Sequence, residues 1–371
     1  MKIIPACLAV ALALVLLPVR LAAADAASPA AEPVLEPSTT TCLGVYWIVR
    51  GDDDGDGRVA LAWRVAGAPE WTPGADLFRV VKGHHKQPKG ASLDIPDDAR
   101  LFAGSVLWLK PGTDYELRLS LADPDGGAAE KILHARTAVE PFAAKDAPIR
   151  HVAPGDGGGT GTTDDPFKGL AAAHAAAKPG DIMLLHAGVY GPLPITVSGE
   201  PGKPIVWRGT DDGEAIIDGG GVHRVIAAVG VHDVWFENLT VRNGERGIAF
   251  HESQRIVVRR CHLYKLVYPI AATVDKGNVG FFICDNLIEG PCVWPRTDAK
   301  GIEAERGIQV IGEGHEICYN RVRGFADAID TFQEGRCSAT AAEVVILVAT
   351  RGSTSGASAS VPREGHLPRG P

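Results

Sequence analysis

The segment GPCVWPRTDAKGIEAERG, residues 290–307, concentrates reactive side chains: Trp294, Arg296, Asp298, Lys300, Glu303, Glu305 and Arg306. Each type has a defined use. A Trp ring stacks on a flat apolar surface. An Arg guanidinium holds a carboxylate through paired hydrogen bonds. A neutralised carboxylate acidifies the adjacent carbon, and a Lys or Arg of lowered pKa then takes its proton. On this chemistry Lys300 is the candidate base and Arg306 the carboxylate neutraliser. Trp294 and Arg296 are the candidate substrate contacts. A solvated charged loop is the competing reading.

Downstream, Asp327 and Asp330 flank Ile329 in FADAIDTF. With Ile329 inward, Asp330 faces out. Two such carboxylates serve as acid and base in hydrolysis, or hold Ca²⁺, or are ordinary turn residues. His251 follows the apolar pair Ile248 and Phe250 and is a further candidate contact, or plain surface. The loop RGDDDGDGR, residues 50–58, spaces Asp52, Asp54 and Asp56 like calcium ligands. Trp63 occupies the twelfth position, where the bidentate Glu of such a loop belongs, so a hydrated hairpin loop is expected. The Gly/Thr-rich loop after Ile149 precedes a helical pattern but lacks the Lys-Ser/Thr of a phosphate loop. That pattern has Asp165 as cap, Pro166 in the first turn, and Phe167, Leu170, Ala171 and His174 on one stripe.

The elements that must carry these residues emerge from self-similarity. Four segments align on Phe236, Val258, Ile283 and Ile317, at steps of 22, 25 and 34 residues. Three positions on stand Leu239, Cys261, Asn286 and Asn320, and two further Val241, Leu263, Ile288 and Val322. A last anchor follows at Ile248, Ile270, Ile308 and Ile329. The long third unit contains the 290–307 insertion. Upstream, Ile182, Ile205 and Ile226 continue similar steps. A period near 22 with short β runs and no helix in each unit predicts stacked parallel rungs, with equivalent side chains about 4.8 Å apart. Asn286 and Asn320 then form a turn ladder, Asn being tolerant of the left-handed region. Cys284 and Cys318 become vertical neighbours within disulfide reach; two free thiols is the alternative. Cys292 would meet Cys337.

Residues 148–335 so patterned resemble secreted right-handed parallel β-helix proteins of the pectate-lyase-like superfamily. The short helix would cap the stack. Residues 40–140 read instead as antiparallel strands with turn signals, a β-sandwich. Within them LKPGTDYELRLSL, residues 109–121, resembles fibronectin type III modules, which implies that the Tyr115 hydroxyl ties down a corner. The expected fold class is all-β.

The superfamily resemblance implies an extended glycan bound along one face and walled by long turns. A polysaccharide lyase working by β-elimination on uronate-containing glycans is the leading expectation. Alternatives are a non-catalytic glycan-binding or cell-surface protein, and a glycoside hydrolase using the paired aspartates. The Asn-Thr-Asp, Asp-Asp, His-Gly and Arg-x-Lys set of polygalacturonases is missing, which argues against pectin hydrolysis. No cofactor is required, with Ca²⁺ the one candidate ion.

Composition frames these readings. Of 371 residues 45% are hydrophobic, which excludes wholesale disorder, and the formal charge of −8 disfavours a nucleic-acid partner. Lys2, an apolar run to Leu17 and Ala24-Asp25-Ala26 read as a signal peptide over 1–26, cleaved after Ala26. That implies a secreted protein, extracellular or periplasmic, with no membrane segment after cleavage; a monomer is the separate expectation for its assembly. Residues 27–39 read as a linker. Residues 336–371 lack the repeat and read as an irregular tail, either a truncated or frameshifted end or a native disordered one.

Overall fold

The computed structural model describes residues 26–80, 95–272, 277–290, 306–325 and 327–331. These fall into two compact units that divide between Val139 and Glu140.

The N-terminal unit contains two antiparallel sheets. One pairs Leu43–Arg50 with Ala99–Val106 along eight residues. The other pairs Arg58–Val65 with Asp114–Ala122, and the latter with Ala128–Arg136. Alternation along Asp114–Ala122 buries Tyr115, Leu117, Leu119 and Leu121, the period-two pattern of a half-buried strand. They pack with Val45, Trp47, Val59, Leu61 and Phe102 in one core. The buried Tyr115 hydroxyl accepts the Lys110 backbone N–H at 2.9 Å. Residues 27–39 are not a free linker: Ser28–Pro29 and Val34–Leu35 both pair with Leu43–Arg50. Trp47 adds a hydrogen bond from its indole to the Ala31 carbonyl at 2.8 Å.

The second unit is a parallel β-helix. One parallel sheet has eight strands and the other nine. The sequence columns are the registers: Phe236, Val258, Ile283 and Ile317 are ladder neighbours. So are Val241, Leu263, Ile288 and Val322, and Ile226, Ile248, Ile270, Ile308 and Ile329. The isoleucines at 226, 248, 270 and 308 are fully buried, each stabilising the stack by about 1.5–3 kcal/mol.

Three expectations are corrected. Ile182 and Ile205 do not belong to the Ile226 column. They lie in the eight-stranded sheet, where Ile182 pairs with Val206, and Leu193 is the neighbour of Ile226. Both sheets repeat with a similar period, so spacing alone merged them. The helix starts late, spanning Leu170–Ala176, because Phe167–Lys168 pairs with Val152–Ala153 as a strand. The ladder asparagines are not left-handed; the preceding column is, at Asn238, Arg260, Asp285 and Tyr319. Cys284 and Cys318 are the expected register neighbours and, of the two readings, are free thiols; the hydrogen bond between them, with burial, pushes the Cys318 thiol up. Cys292 and Cys337 lie outside the described residues.

Among the described residues no helix is long and apolar enough to cross a membrane.

Candidate functional site

The outer face of the eight-stranded sheet is covered. Trp235, Val257, Phe282 and Val206 form an apolar cluster against Ala143 and Ala147. Beside it Glu237 binds Arg208 and Arg259, and Arg259 also reaches Glu140. These charges are consumed by one another.

The nine-stranded sheet offers two polar rows. In the first, Asp218, Arg242, Tyr264, Glu289 and Arg323 are successive register partners. Arg242 donates to Asp218 at 2.7 Å and to the Tyr264 hydroxyl at 3.0 Å. Glu289 takes His262 at 2.8 Å and pairs with Arg323. Each charge in this row meets an opposite one, so it reads as a brace between rungs.

The second row differs. Arg224, Arg246 and Tyr268 are register partners. Arg306 stands two residues before Ile308, as Tyr268 does before Ile270, and Arg306 pairs in register with Asp327. Like charges thus sit on adjacent strands at Arg224 and Arg246. The Nε atoms of both are buried without a hydrogen-bond acceptor. Arg246 lies 5.8 Å from the Tyr268 ring centroid and 4.0 Å from Glu245. Two adjacent guanidiniums on a sheet face are an anion-binding arrangement.

His251 ends the Thr240–His251 strand beside this row. Its Nε2 is buried with no hydrogen-bond partner. Burial first, then Arg224 and Arg246, hold its pKa below the ordinary histidine value. The ring is therefore neutral at neutral pH, with an unclaimed nitrogen beside two cations.

The candidates nominated by sequence separate into two groups. Arg306, Asp327 and Asp330 come together: Arg306 Nε is 2.5 Å from Asp330 and 3.9 Å from Asp327. Gln309 donates to Asp330 at 3.4 Å. His251 is two strands away on the same sheet. Lys300, Trp294 and Arg296 lie outside the described residues. Sequence reasoning missed Arg224, Arg246 and Tyr268. The signal was present, since Arg224 and Arg246 precede column isoleucines by two residues, but isolated arginines on a strand read as solvated face.

Neither calcium reading fits the residues present. Arg306 already pairs with Asp330 and lies 3.9 Å from Asp327. In the N-terminal unit, carboxylate oxygens of Asp52, Asp56 and Asp123 lie within 4.8 Å of one another. However, Asp52 is fully buried against Arg79 and accepts the Gly57 N–H at 2.8 Å. Asp123 accepts the Ala27 N–H at 3.1 Å. A guanidinium and backbone donors fill the places a cation would take.

No protein-family profile matches the chain, and no curated protein matches it in sequence. Solved structures give distant likenesses. An alginate lyase from Paenibacillus sp. str. FPU-7 aligns with 45% of this chain at 19% identity and a TM-score of 0.38. This chain spans 59% of that lyase. A Family 28 exopolygalacturonase from Yersinia enterocolitica aligns with 84% of this chain and 79% of its own, at 14% identity and a TM-score of 0.21. The catalytic domain of a GH87 alpha-1,3-glucanase aligns with 84% of this chain and 74% of its own, at 10% identity and a TM-score of 0.18. The parallel β-helix assignment rests on the strand registers.

Proposed function

We propose that the chain is a secreted carbohydrate-active protein with a right-handed β-helix. Its function is polysaccharide lysis by β-elimination on uronate-containing glycans. The N-terminal unit serves as a fibronectin type III-like spacer or binding module. The observation that carries the reading is the Arg224–Arg246 register pair beside a neutral His251.

The chemistry follows. A uronate carboxylate bridging Arg224 and Arg246 loses its charge repulsion toward a developing carbanion. The adjacent C–H then becomes acidic enough for a neutral imidazole to take the proton. The electron pair forms the ring double bond, the glycosidic C–O bond breaks, and the leaving oxygen takes a proton. Tyr268, between Arg246 and Arg306, is placed to donate it. Lys300 is the competing base. Arg306 is committed to Asp330, so it positions the end of the row rather than neutralising substrate. That commitment also weakens the hydrolase reading, which needs both aspartates free of a cation.

The test is a panel of acidic polysaccharides followed by ultraviolet absorbance of the unsaturated uronate. Arg246→Ala is expected to lower the rate about ten- to hundredfold, the loss of one charged hydrogen bond. Comparing His251→Ala with Lys300→Ala identifies the base. Binding with neither unsaturated product nor new reducing ends would leave the protein a glycan-binding module.

A further inference from the structure

At the N-terminal end of the β-helix four side chains form one hydrogen-bonded line. Thr163 Oγ1 is 3.1 Å from His151 Nε2. His151 Nδ1 is 3.0 Å from His186 Nε2. His186 Nδ1 is 2.7 Å from Asp212 Oδ2. The two imidazoles are stacked, with centroids 5.2 Å apart at 18°.

The direction of the line follows from its anchor. Asp212 Oδ1 is occupied by the Ala187 N–H at 3.0 Å and by the Thr210 hydroxyl. The Thr210 and His186 hydrogen bonds hold its carboxyl at about 2, so it is ionised and only accepts. His186 therefore donates from Nδ1, and as a neutral ring it has its lone pair on Nε2. His151 must then donate from Nδ1, which leaves its own lone pair on Nε2. Thr163 is the remaining donor, and its O–H points into a basic nitrogen. A carboxylate, an imidazole and a hydroxyl in this polarity make up an activated nucleophile; here a second imidazole extends it.

The backbone holds the parts in place. His151 lies in the Ile149–Ala153 strand and pairs with Leu184, two residues before His186. The His151 N–H donates to Gly161 at 2.9 Å, and Thr160 and Gly161 both donate to the Asp165 carbonyl. The loop that presents Thr163 is thus tied to the strand it serves. Thr163 is exposed and both rings are half-buried, so substrate has access.

We propose that Thr163 is the nucleophile of a second site, an acyl-transfer centre for small neutral esters. The loop neighbours Thr160, Thr162, Asp164 and Asp165 are polar or anionic and exposed, which disfavours long acyl chains and anionic substrates. In the first step Thr163 Oγ bonds to the acyl carbon while its proton passes to His151 Nε2. The ester C–O bond breaks, and the departing alcohol takes that proton back. Water, deprotonated by the same nitrogen, then releases the acid and restores Thr163.

The probe is p-nitrophenyl acetate, read by nitrophenol release and by peptide mass mapping of a trapped acyl group. The expected result is acetylated Thr163, with release reduced at least about 100-fold in Thr163→Val and His151→Ala. Thr163→Ser should retain release, which separates loss of the nucleophile from loss of the fold; thermal midpoints of all variants check the same point. Asp212→Asn, which frees the His186 tautomer, should slow release about tenfold or more. An adduct elsewhere, or equal release by Thr163→Val and the parent protein, overturns the proposal.

Discussion

Arg259 Nη2 lies 2.7 Å from Glu237 Oε1, and both side chains are almost wholly buried, at 3% and 4% exposure. The pair bridges adjacent strands of the eight-stranded sheet, since Glu237 and Arg259 are register partners. Arg259 is further enclosed by Phe142 and Trp235. Removing Glu237 leaves the buried Arg259 with Glu140 as its remaining carboxylate, at a cost of up to about 3–5 kcal/mol, that of a broken buried pair. Glu237→Ala is therefore expected to lower stability by that amount in a urea titration. A change below about 1 kcal/mol would show that water reaches Arg259.

Asn286 is buried and makes hydrogen bonds toward both neighbouring rungs. Its Oδ1 accepts the Cys261 N–H at 2.9 Å, and its Nδ2 donates to the Val258 carbonyl at 2.8 Å. Asn320 repeats the device by accepting from the Asn286 backbone at 3.0 Å and donating to Ile283 at 2.8 Å. Asn286→Ala strands a buried donor and a buried acceptor, each worth about 1–3 kcal/mol. The half-buried Asn320 should cost less when replaced by Ala. Equal thermal midpoints for the two variants would contradict this ordering.

These relations show what was legible in the chain. The columns through Phe236, Val241 and Ile248 were readable because a bore position demands an apolar residue at each turn. Asn286 and Asn320 were readable as a ladder because the same residue type recurs at one aligned turn position. The left-handed column at Asn238, Arg260, Asp285 and Tyr319 was not, because no residue type repeats along it. Arg224 and Arg246 were hidden because an outward arginine has the same composition whether solvated or poised to bind. The Thr163–His151–His186–Asp212 line joins residues far apart in sequence, which only strand register brings together.

His315 gives a pH dependence with a definite sign. It is 4% exposed and packs 4.8 Å from the Phe281 ring. Its Nδ1 accepts the Phe281 N–H at 3.2 Å, so the folded protein needs the neutral ring. Burial lowers its pKa to about 4. The unfolded chain binds the proton near pH 6.5. Between these values the unfolded state holds more protons, so stability falls as pH drops from about 6.5 toward 4, by up to about 3 kcal/mol. His315→Asn keeps an acceptor but does not titrate, and it should flatten the denaturation midpoint across that range. An unchanged slope would assign the acid sensitivity to another group.

The proposed leader makes a prediction about Asp123. Cleavage after Ala26 would turn the Ala27 nitrogen into an ammonium. That nitrogen already lies 3.1 Å from Asp123 Oδ2, and Ala27 is 2% exposed within the core of the N-terminal unit. Gly127 approaches the Ala27 carbonyl so closely that a Cβ there would collide with it. A leader still attached would leave a neutral amide against the carboxylate, whereas the processed chain places opposite charges there. On this proposal the processed chain begins at Ala27 on N-terminal sequencing. Asp123→Asn should cost the processed form about 1.5–3 kcal/mol, the range for a hydrogen bond to a charged group. A start at another residue would sink the cleavage assignment. A start at Ala27 with no stability change in Asp123→Asn would show that the ammonium is solvated rather than held.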